Sequence, residues 1–212
     1  MRLTLIGMAG TGKSYWSKKL SRRGFKRFSC DDMIETRLFP ELHNPDDFRI
    51  SMGEWMGFPY MPLYHEREAK YLAFEKEVVR EILGRLESDG GGSDEDIVID
   101  TAGSVIYTGD DLLEKLGKQT TIVLLSTPPQ EQENLMRAYL SRPHPMLWQG
   151  FYKKKEGENH EDTLANCYPK LFHSRQRLYE RYAAIKIGYD ILRHEGFEAE
   201  DFLREVLTLM RP

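Results

Sequence analysis

Short apolar runs alternate along the chain with longer stretches in which apolar positions recur every three or four residues, a pattern of strands interleaved with helices. Residues 3–6 are apolar and closed by Gly7, which predicts a buried first strand, and a helix is expected over 13–20 with Gly24 beyond its end. A second strand is expected over 25–28, running into Ser29-Cys30-Asp31-Asp32, followed by a short helix over 33–38 that Pro40 should stop. Residues 63–86 read as one long helix of good helix formers, and the three glycines within 88–93 as a linker. Strands are predicted over 97–99, closed by Asp100, over 121–125, and over 185–187. Helices are predicted over 110–116, from the Pro128-Pro129 pair to about 140, from about 162 to 182, and over 198–209. Arg142-Pro143-His144-Pro145 should end the second of these, and a polar segment containing Lys153, Lys154 and Lys155 follows it.

The alternation breaks between Pro40 and Pro62, where glycine, proline, methionine and aromatic residues crowd together. A loop of this length is either functional or disordered, and its aromatics argue against disorder. Two readings stay open for it, an insertion packed on the surface and a segment that touches substrate. The elements together predict a single α/β domain over 1–212: a three-layer α/β/α sandwich around a parallel sheet of about five strands. An insertion at about 40–62 and a lid at about 141–162 are expected on that frame.

Composition narrows the function classes. Of the 212 residues, 40% are hydrophobic and 30% charged, the balance of a soluble globular protein, and the net charge of -4 gives no general attraction to nucleic acid. Cys30 and Cys167 lie far apart with no C-x-x-C pair, so neither a disulfide framework nor a zinc site is expected. The N-terminal residues run straight into a glycine loop with no signal peptide, and no apolar run reaches the roughly 18 residues that span a bilayer. A cytoplasmic protein with no membrane partner is the expectation, as a monomer or homodimer.

The sharpest chemistry lies at the first strand. Gly7-Met8-Ala9-Gly10-Thr11-Gly12-Lys13-Ser14 satisfies G-x-x-x-x-G-K-[ST] in full, between an apolar strand and a helical run. Glycines let backbone N–H groups approach phosphate oxygens, and the helix N-terminus beyond them favours an anion. Lys13 is placed to reach the β- and γ-phosphates and the Ser14 hydroxyl to ligate Mg²⁺. The expected nucleotide contacts are Gly7, Ala9, Gly10, Thr11, Gly12, Lys13 and Ser14, with Arg137 from the helix before the Arg142-Pro143 pair.

Two classes of P-loop protein compete. Asp100-Thr101-Ala102-Gly103 spells the D-x-x-G box of a GTPase switch, but the N-K-x-D guanine clamp that should follow a later strand is missing. A GTPase-like or non-catalytic nucleotide switch therefore stands as the alternative. The kinase reading covers more of the chain, which resembles shikimate kinase and its relatives from the first strand to roughly Ala184. Ser29-Cys30-Asp31-Asp32-Met33-Ile34-Glu35 takes the place of that family's D-x-D-x-x-I-E segment, with Asp31 on the second, substrate-contacting Asp and Ser29 on the first. Glu75 matches its conserved helical glutamate, Thr101-Ala102-Gly103-Ser104 its substrate-side glycine loop, Arg142-Pro143 its lid pair and Arg175 its second substrate-binding arginine. Leu72 stands where the family grips a carboxylate with an arginine, and one glycine stands where it has three. The resemblance implies a small-molecule kinase using ATP and Mg²⁺ on a hydroxylated metabolite or nucleoside-type acceptor other than shikimate.

On this reading Lys13, Asp31 and Arg142 carry the transfer. Lys13 and Arg142 neutralise charge on the γ-phosphoryl group, and Asp31 takes the acceptor hydroxyl as a base. Asp31, Glu75, Gly103 and Arg175 are expected to bind the acceptor, and Ser14, Asp32 and Asp100 the metal. Competing structural roles are open for several of them. Asp31 and Asp32 suit a helix N-cap, Asp100 a turn, and Arg142, Arg175 and Lys153 to Lys155 a solvated face. Trp55, Phe58, Tyr60 and Tyr64 can wall a ring-shaped ligand or simply pack.

Overall fold

A computed structural model describes residues 1–43, 49–88 and 95–211. Most of the expected glycine linker and part of the insertion at 40–62 lie outside the described residues. Strands β1 (Arg2–Ile6), β2 (Lys26–Ser29), β3 (Ile97–Asp100), β4 (Thr121–Leu125) and β5 (Ile185–Ile187) form one sheet in the order β2-β3-β1-β4-β5. Every pairing is parallel: Leu3 faces Val98 on one side and Thr121 on the other, and Leu124 faces Lys186.

The inner strands β3, β1 and β4 read as nearly continuous apolar runs because both faces of the sheet are covered, while the edge strands β2 and β5 carry Lys26, Arg27 and Lys186. Ile97, Ile99, Ile122 and Leu124 join one core cluster, while Val98, Val123, Leu3 and Leu5 join a second on the opposite face. Helices α1 (Lys13–Ser21) and α9 (Ala199–Leu209) cover the second face with Trp16, Leu20, Phe202 and Val206. Helices α2 (Cys30–Leu42), α4 (Tyr64–Ser88), α5 (Asp110–Gln119) and α7 (His160–Tyr182) supply the first. The short α3 (Met52–Met56), α6 (Gln132–Ser141) and α8 (Tyr189–Arg193) complete the described helices. The expected three-layer α/β/α sandwich is present. Its α4 presents Tyr64, Glu68, Tyr71, Glu75, Val78 and Ile82 inward at helical spacing, so two glutamates ride on an otherwise apolar stripe.

The order of the strands locates the site. The chain leaves β1 through α1 toward β2, and leaves β3 through α5 toward β4, on the other side of the sheet. The carboxyl ends of neighbouring β1 and β3 thus flank a topological switch point, where open α/β sheets gather ligands.

Three expectations about elements are corrected. Helix α2 starts at Cys30, three residues earlier than expected, because Ser29 both ends β2 and caps the helix by accepting from the Asp32 N–H. Pro40 does not stop it; the helix runs on to Leu42, which is buried below Leu38 and repays one lost terminal hydrogen bond with packing. The insertion contains a helix, α3, started by a capping box in which the Glu54 N–H donates to Ser51 Oγ at 3.2 Å and the Ser51 N–H donates to Glu54 Oε2 at 2.8 Å.

The segment after α6 carries no regular structure up to Asn159, yet Met146, Leu147 and Trp148 are buried in the core. Tyr64 Oη donates to the Met146 carbonyl at 2.7 Å and accepts from the Trp148 N–H at 2.8 Å. Arg175 donates to the Leu147 carbonyl at 2.7 Å, and Glu68 accepts from the Gln149 N–H at 2.8 Å. On its other side the segment lies against α3 so closely that a Cβ at Gly53 would fall 1.8 Å from the Pro143 carbonyl oxygen. The first half of the expected lid is a strap bound to α3, α4 and α7. Its second half, including Lys153 to Lys155, is exposed.

Candidate active site

The glycine motif forms the turn between β1 and α1. Gly7, Gly10 and Gly12 all have positive φ, and Gly12, at φ 99°, is the N-cap of α1 with no side chain to occupy the first N–H groups of the helix. Those donors are left for an anion, which the helix dipole favours. Lys13 is buried, and its Nζ donates to the Gly7 and Met8 carbonyls at 2.9 Å each. Burial lowers its pKa, while the nearby Asp31 and Asp100 carboxylates work in the opposite direction. An ammonium folded onto neutral loop carbonyls rather than onto a carboxylate is suited to a phosphate, so the loop and its lysine fit a nucleotide.

Asp100 projects from the end of β3 beside Ser14. Its Oδ1 accepts from Ser14 Oγ at 3.3 Å, and its Oδ2 accepts from Ser17 Oγ at 2.9 Å and from Arg27 Nη2 at 2.7 Å. It caps no helix; it gathers the polar groups of α1. Arg27, which also donates through Nε to Ser17 at 2.8 Å, reaches the exposed Asp32 at 3.3 Å. The pairing of Ser14 with one oxygen of Asp100 fits an ion held chiefly by Ser14, phosphate and water, with Asp100 in an outer role.

The loop, through Ala9, Gly10, Gly12, Lys13 and Ser14, forms one wall of a cleft of about 420 Å³. Lys13 and Asp31 face it, Met52, Tyr71 and Pro145 form apolar walls, and His144 closes one side. Asp31 is brought there by the first turn of α2, where Ser29 has taken the capping role, and its Oδ1 accepts from Tyr71 Oη at 3.1 Å. Burial raises the Asp31 pKa, with Lys13 opposing, so the carboxylate is a stronger base than an exposed aspartate. His144 is half-buried with its Nε2 shut off from solvent and without a partner. Burial, together with the charges of Arg175 and Lys13, pulls its pKa down to about 4, which keeps the ring neutral.

Glu75 and Arg175 stand behind this cleft rather than on its wall. Glu75 is fully buried; Ser104 Oγ donates to its Oε2 at 2.5 Å, its Oε1 has no partner, and burial pushes its pKa up to about 8. Arg175 is 2% exposed, which excludes a solvated role, and lies 5.3 Å from the Tyr107 ring centre. It also donates to the Gly103 carbonyl at 3.5 Å, an oxygen that Tyr179 Oη bonds as well. The group clamps Gly103 against the cleft from the rear. Gly103 itself lines the cleft.

The remaining expected residues are not gathered at this point. Arg142 is exposed at the end of α6, and Arg137 is exposed and paired with Glu133 at 3.3 Å. Trp55 and Tyr64 are buried packing residues, and Phe58 stacks with Tyr60 at 5.5 Å; none of these aromatics lines the cleft. Several contributors escape sequence reasoning. Arg27 and Ser17 sit in no motif, and Tyr71 reads as one more apolar position of α4. Met52 comes from the short α3 and His144 from the irregular strap after α6. A second recess of about 400 Å³ opens on the other side of the loop, between Gly12, Tyr15 and the turn after α8, where Arg193 and Phe197 lie.

Comparison with known proteins places the architecture. No protein-family model and no curated protein sequence matches the chain. Among solved structures, the chain is similar to shikimate kinase from Acinetobacter baumannii in complex with shikimate, with 22% identity and a TM-score of 0.62 over 99% of this chain and 92% of that one. Shikimate kinase from Bacteroides thetaiotaomicron matches with 20% identity and a TM-score of 0.60, over 99% and 98% of the two chains. That from Aquifex aeolicus gives 19% identity and a TM-score of 0.58, over 99% and 96%. The chain has the shikimate-kinase-like P-loop fold along nearly its whole length.

Proposed function

We propose, from this fold and the cleft it builds, that the chain is an ATP-dependent phosphotransferase that moves the γ-phosphoryl group of ATP to a hydroxyl of a small metabolite. One observation carries the reading: a complete phosphate loop whose lysine shares a cleft with a half-buried aspartate, Asp31, whose pKa burial raises. A binding switch has no use for that aspartate, whereas a kinase needs it opposite the phosphate.

The chain's own residues divide the work. Loop N–H groups from Gly7 to Ser14 hold the phosphates, and Lys13 leaves the Gly7 and Met8 carbonyls to meet them. Ser14 and Asp100 hold the metal side, with Asp32 and Arg27 around them. Mg²⁺, when bound with ATP, neutralises phosphate charge during transfer. Arg193 and Phe197 offer the base and ribose a recess beside Gly12. Asp31, steadied by Tyr71, orients the acceptor hydroxyl and accepts its proton as the bond to phosphorus forms. Glu75 and Arg175 act as positioning residues through Ser104 and Gly103.

Paired substitutions test this assignment. Lys13→Ala should weaken ATP binding and lower transfer by about 10²–10³-fold, while Asp31→Ala should spare ATP binding and lower transfer comparably. Full turnover in Asp31→Ala would contradict the acceptor site. The alternative, a nucleotide switch or degenerate enzyme, draws on Ser29 in place of an aspartate, and would show as tight nucleotide binding that no acceptor converts into turnover.

A further inference from the structure

The cleft beside the phosphate loop is poor in positive charge. Among the described residues that line it, the one cation is Lys13, and in the proposed reaction the phosphates of ATP take that lysine. Arg175, the other buried cation nearby, donates through its two Nη atoms to the Gly103 and Leu147 carbonyls and stacks on Tyr107 behind the wall, its unpartnered Nε shut off from solvent. Asp31 contributes negative charge at the same place, and bound ATP adds more. A carboxylate or phosphate on the acceptor would enter beside like charge with no guanidinium or ammonium left to pair it, which costs affinity even in a partly solvated cleft.

The polar groups that remain suit hydroxyls. Asp31 accepts from one of them. His144 lines the cleft with the rest of its ring, while its Nε2 is shut off from solvent and offers an acceptor no contact. Because the ring is held neutral, it offers an incoming anion no charge. Met52, Tyr71 and Pro145 add apolar contact for a carbon skeleton.

We infer that this cleft selects an uncharged, hydroxylated acceptor, held by Asp31, and discriminates against the same molecule bearing a carboxylate. The inference rests on the phosphotransferase reading for its place in the reaction, and its test separates the two. Matched pairs are titrated by calorimetry into the protein saturated with Mg²⁺ and a non-hydrolysable ATP analogue: shikimate and its methyl ester, gluconate and glucitol, glucuronate and glucose. Acceptor-stimulated ADP release is measured in parallel with ATP. At least one neutral member should bind at least about tenfold more tightly than its acid. Tighter binding of the acids, or binding of no neutral member, overturns the inference. Neutral preference in binding with no ADP release from any member leaves the cleft's selectivity standing and defeats the phosphotransferase reading instead. ADP release driven by the acids alone does the reverse.

Discussion

Glu75 sets the pH behaviour of the fold. Its carboxyl is fully buried, bonded at 2.5 Å by Ser104 and faced by Asp31, with Arg175 and Lys13 drawing in the other direction. The folded protein therefore keeps a proton on Glu75 up to about pH 8, whereas the unfolded chain releases it near 4.5. Between those values the native state binds more protons than the unfolded state, so this group's contribution to stability falls as pH rises and levels off above about 8. Asp31, also raised by burial, adds to the same slope. Glu75→Gln should flatten the dependence and be the more stable form at pH 8 by on the order of 1–3 kcal/mol, read from denaturant unfolding at several pH values. An unchanged slope would mean that Glu75 is ionised in the fold. Which residues meet at the site was only partly legible at this scale. Lys13 and Ser14 stand in a motif whose order is fixed by phosphate geometry, Asp100 ends β3, and Asp31 follows the end of β2 in the first turn of α2. Arg27, Tyr71 and His144 carry no such mark, because each is brought in by tertiary packing from a position that reads as ordinary strand, helix or loop.

At the scale of elements, the strap between α6 and α7 holds the cleft wall that carries His144 and Pro145. Tyr64 is its principal anchor, with one hydroxyl serving the Met146 carbonyl, the Trp148 N–H and Glu68. Tyr64→Phe takes that partner from the Met146 carbonyl and the Trp148 N–H, while Glu68 keeps the Gln149 N–H, and should cost about 1–3 kcal/mol, with faster hydrogen exchange at the Trp148 and Gln149 amides. Exchange unaltered at those amides would show that the strap is held by packing alone. Gly53→Ala attacks the same strap from α3, since the new methyl group must push the Pro143 carbonyl away; a loss of about 1–3 kcal/mol is expected in unfolding experiments. The inner strands β1, β3 and β4 were legible because both faces of the sheet are buried and each is a largely apolar run, whereas the edge strands β2 and β5 were marked only by Phe25, Phe28, Ile185 and Ile187 beside charged residues. The helix in the insertion was legible in principle, since Ser51 and Glu54 spell a capping box, but glycines and prolines around it mask so short a helix. The strap was not legible at all: Met146, Leu147 and Trp148 have no period, and only their burial against α4 and α7 gives them a purpose.

For the whole molecule, the parallel sheet brings the turns after β1 and β3 to one edge and sets the phosphate loop between two recesses. A ligand that fills one recess and the loop binds the folded state alone, so ATP with Mg²⁺ at about 100 times its dissociation constant should stabilise the protein by about 2.7 kcal/mol. The melting temperature should rise with nucleotide concentration in the wild type and much less in Lys13→Ala. Acceptor-dependent ADP release is the most direct test of the central claim, measured with Mg²⁺ and ATP against a panel of hydroxylated metabolites and nucleosides, with GTP in parallel. The account predicts that ATP turnover is slow alone, is stimulated by at least one acceptor, and yields a phosphorylated product in equal amount to the ADP. Nucleotide binding that stabilises the fold, with no acceptor raising turnover above the basal rate, would contradict it.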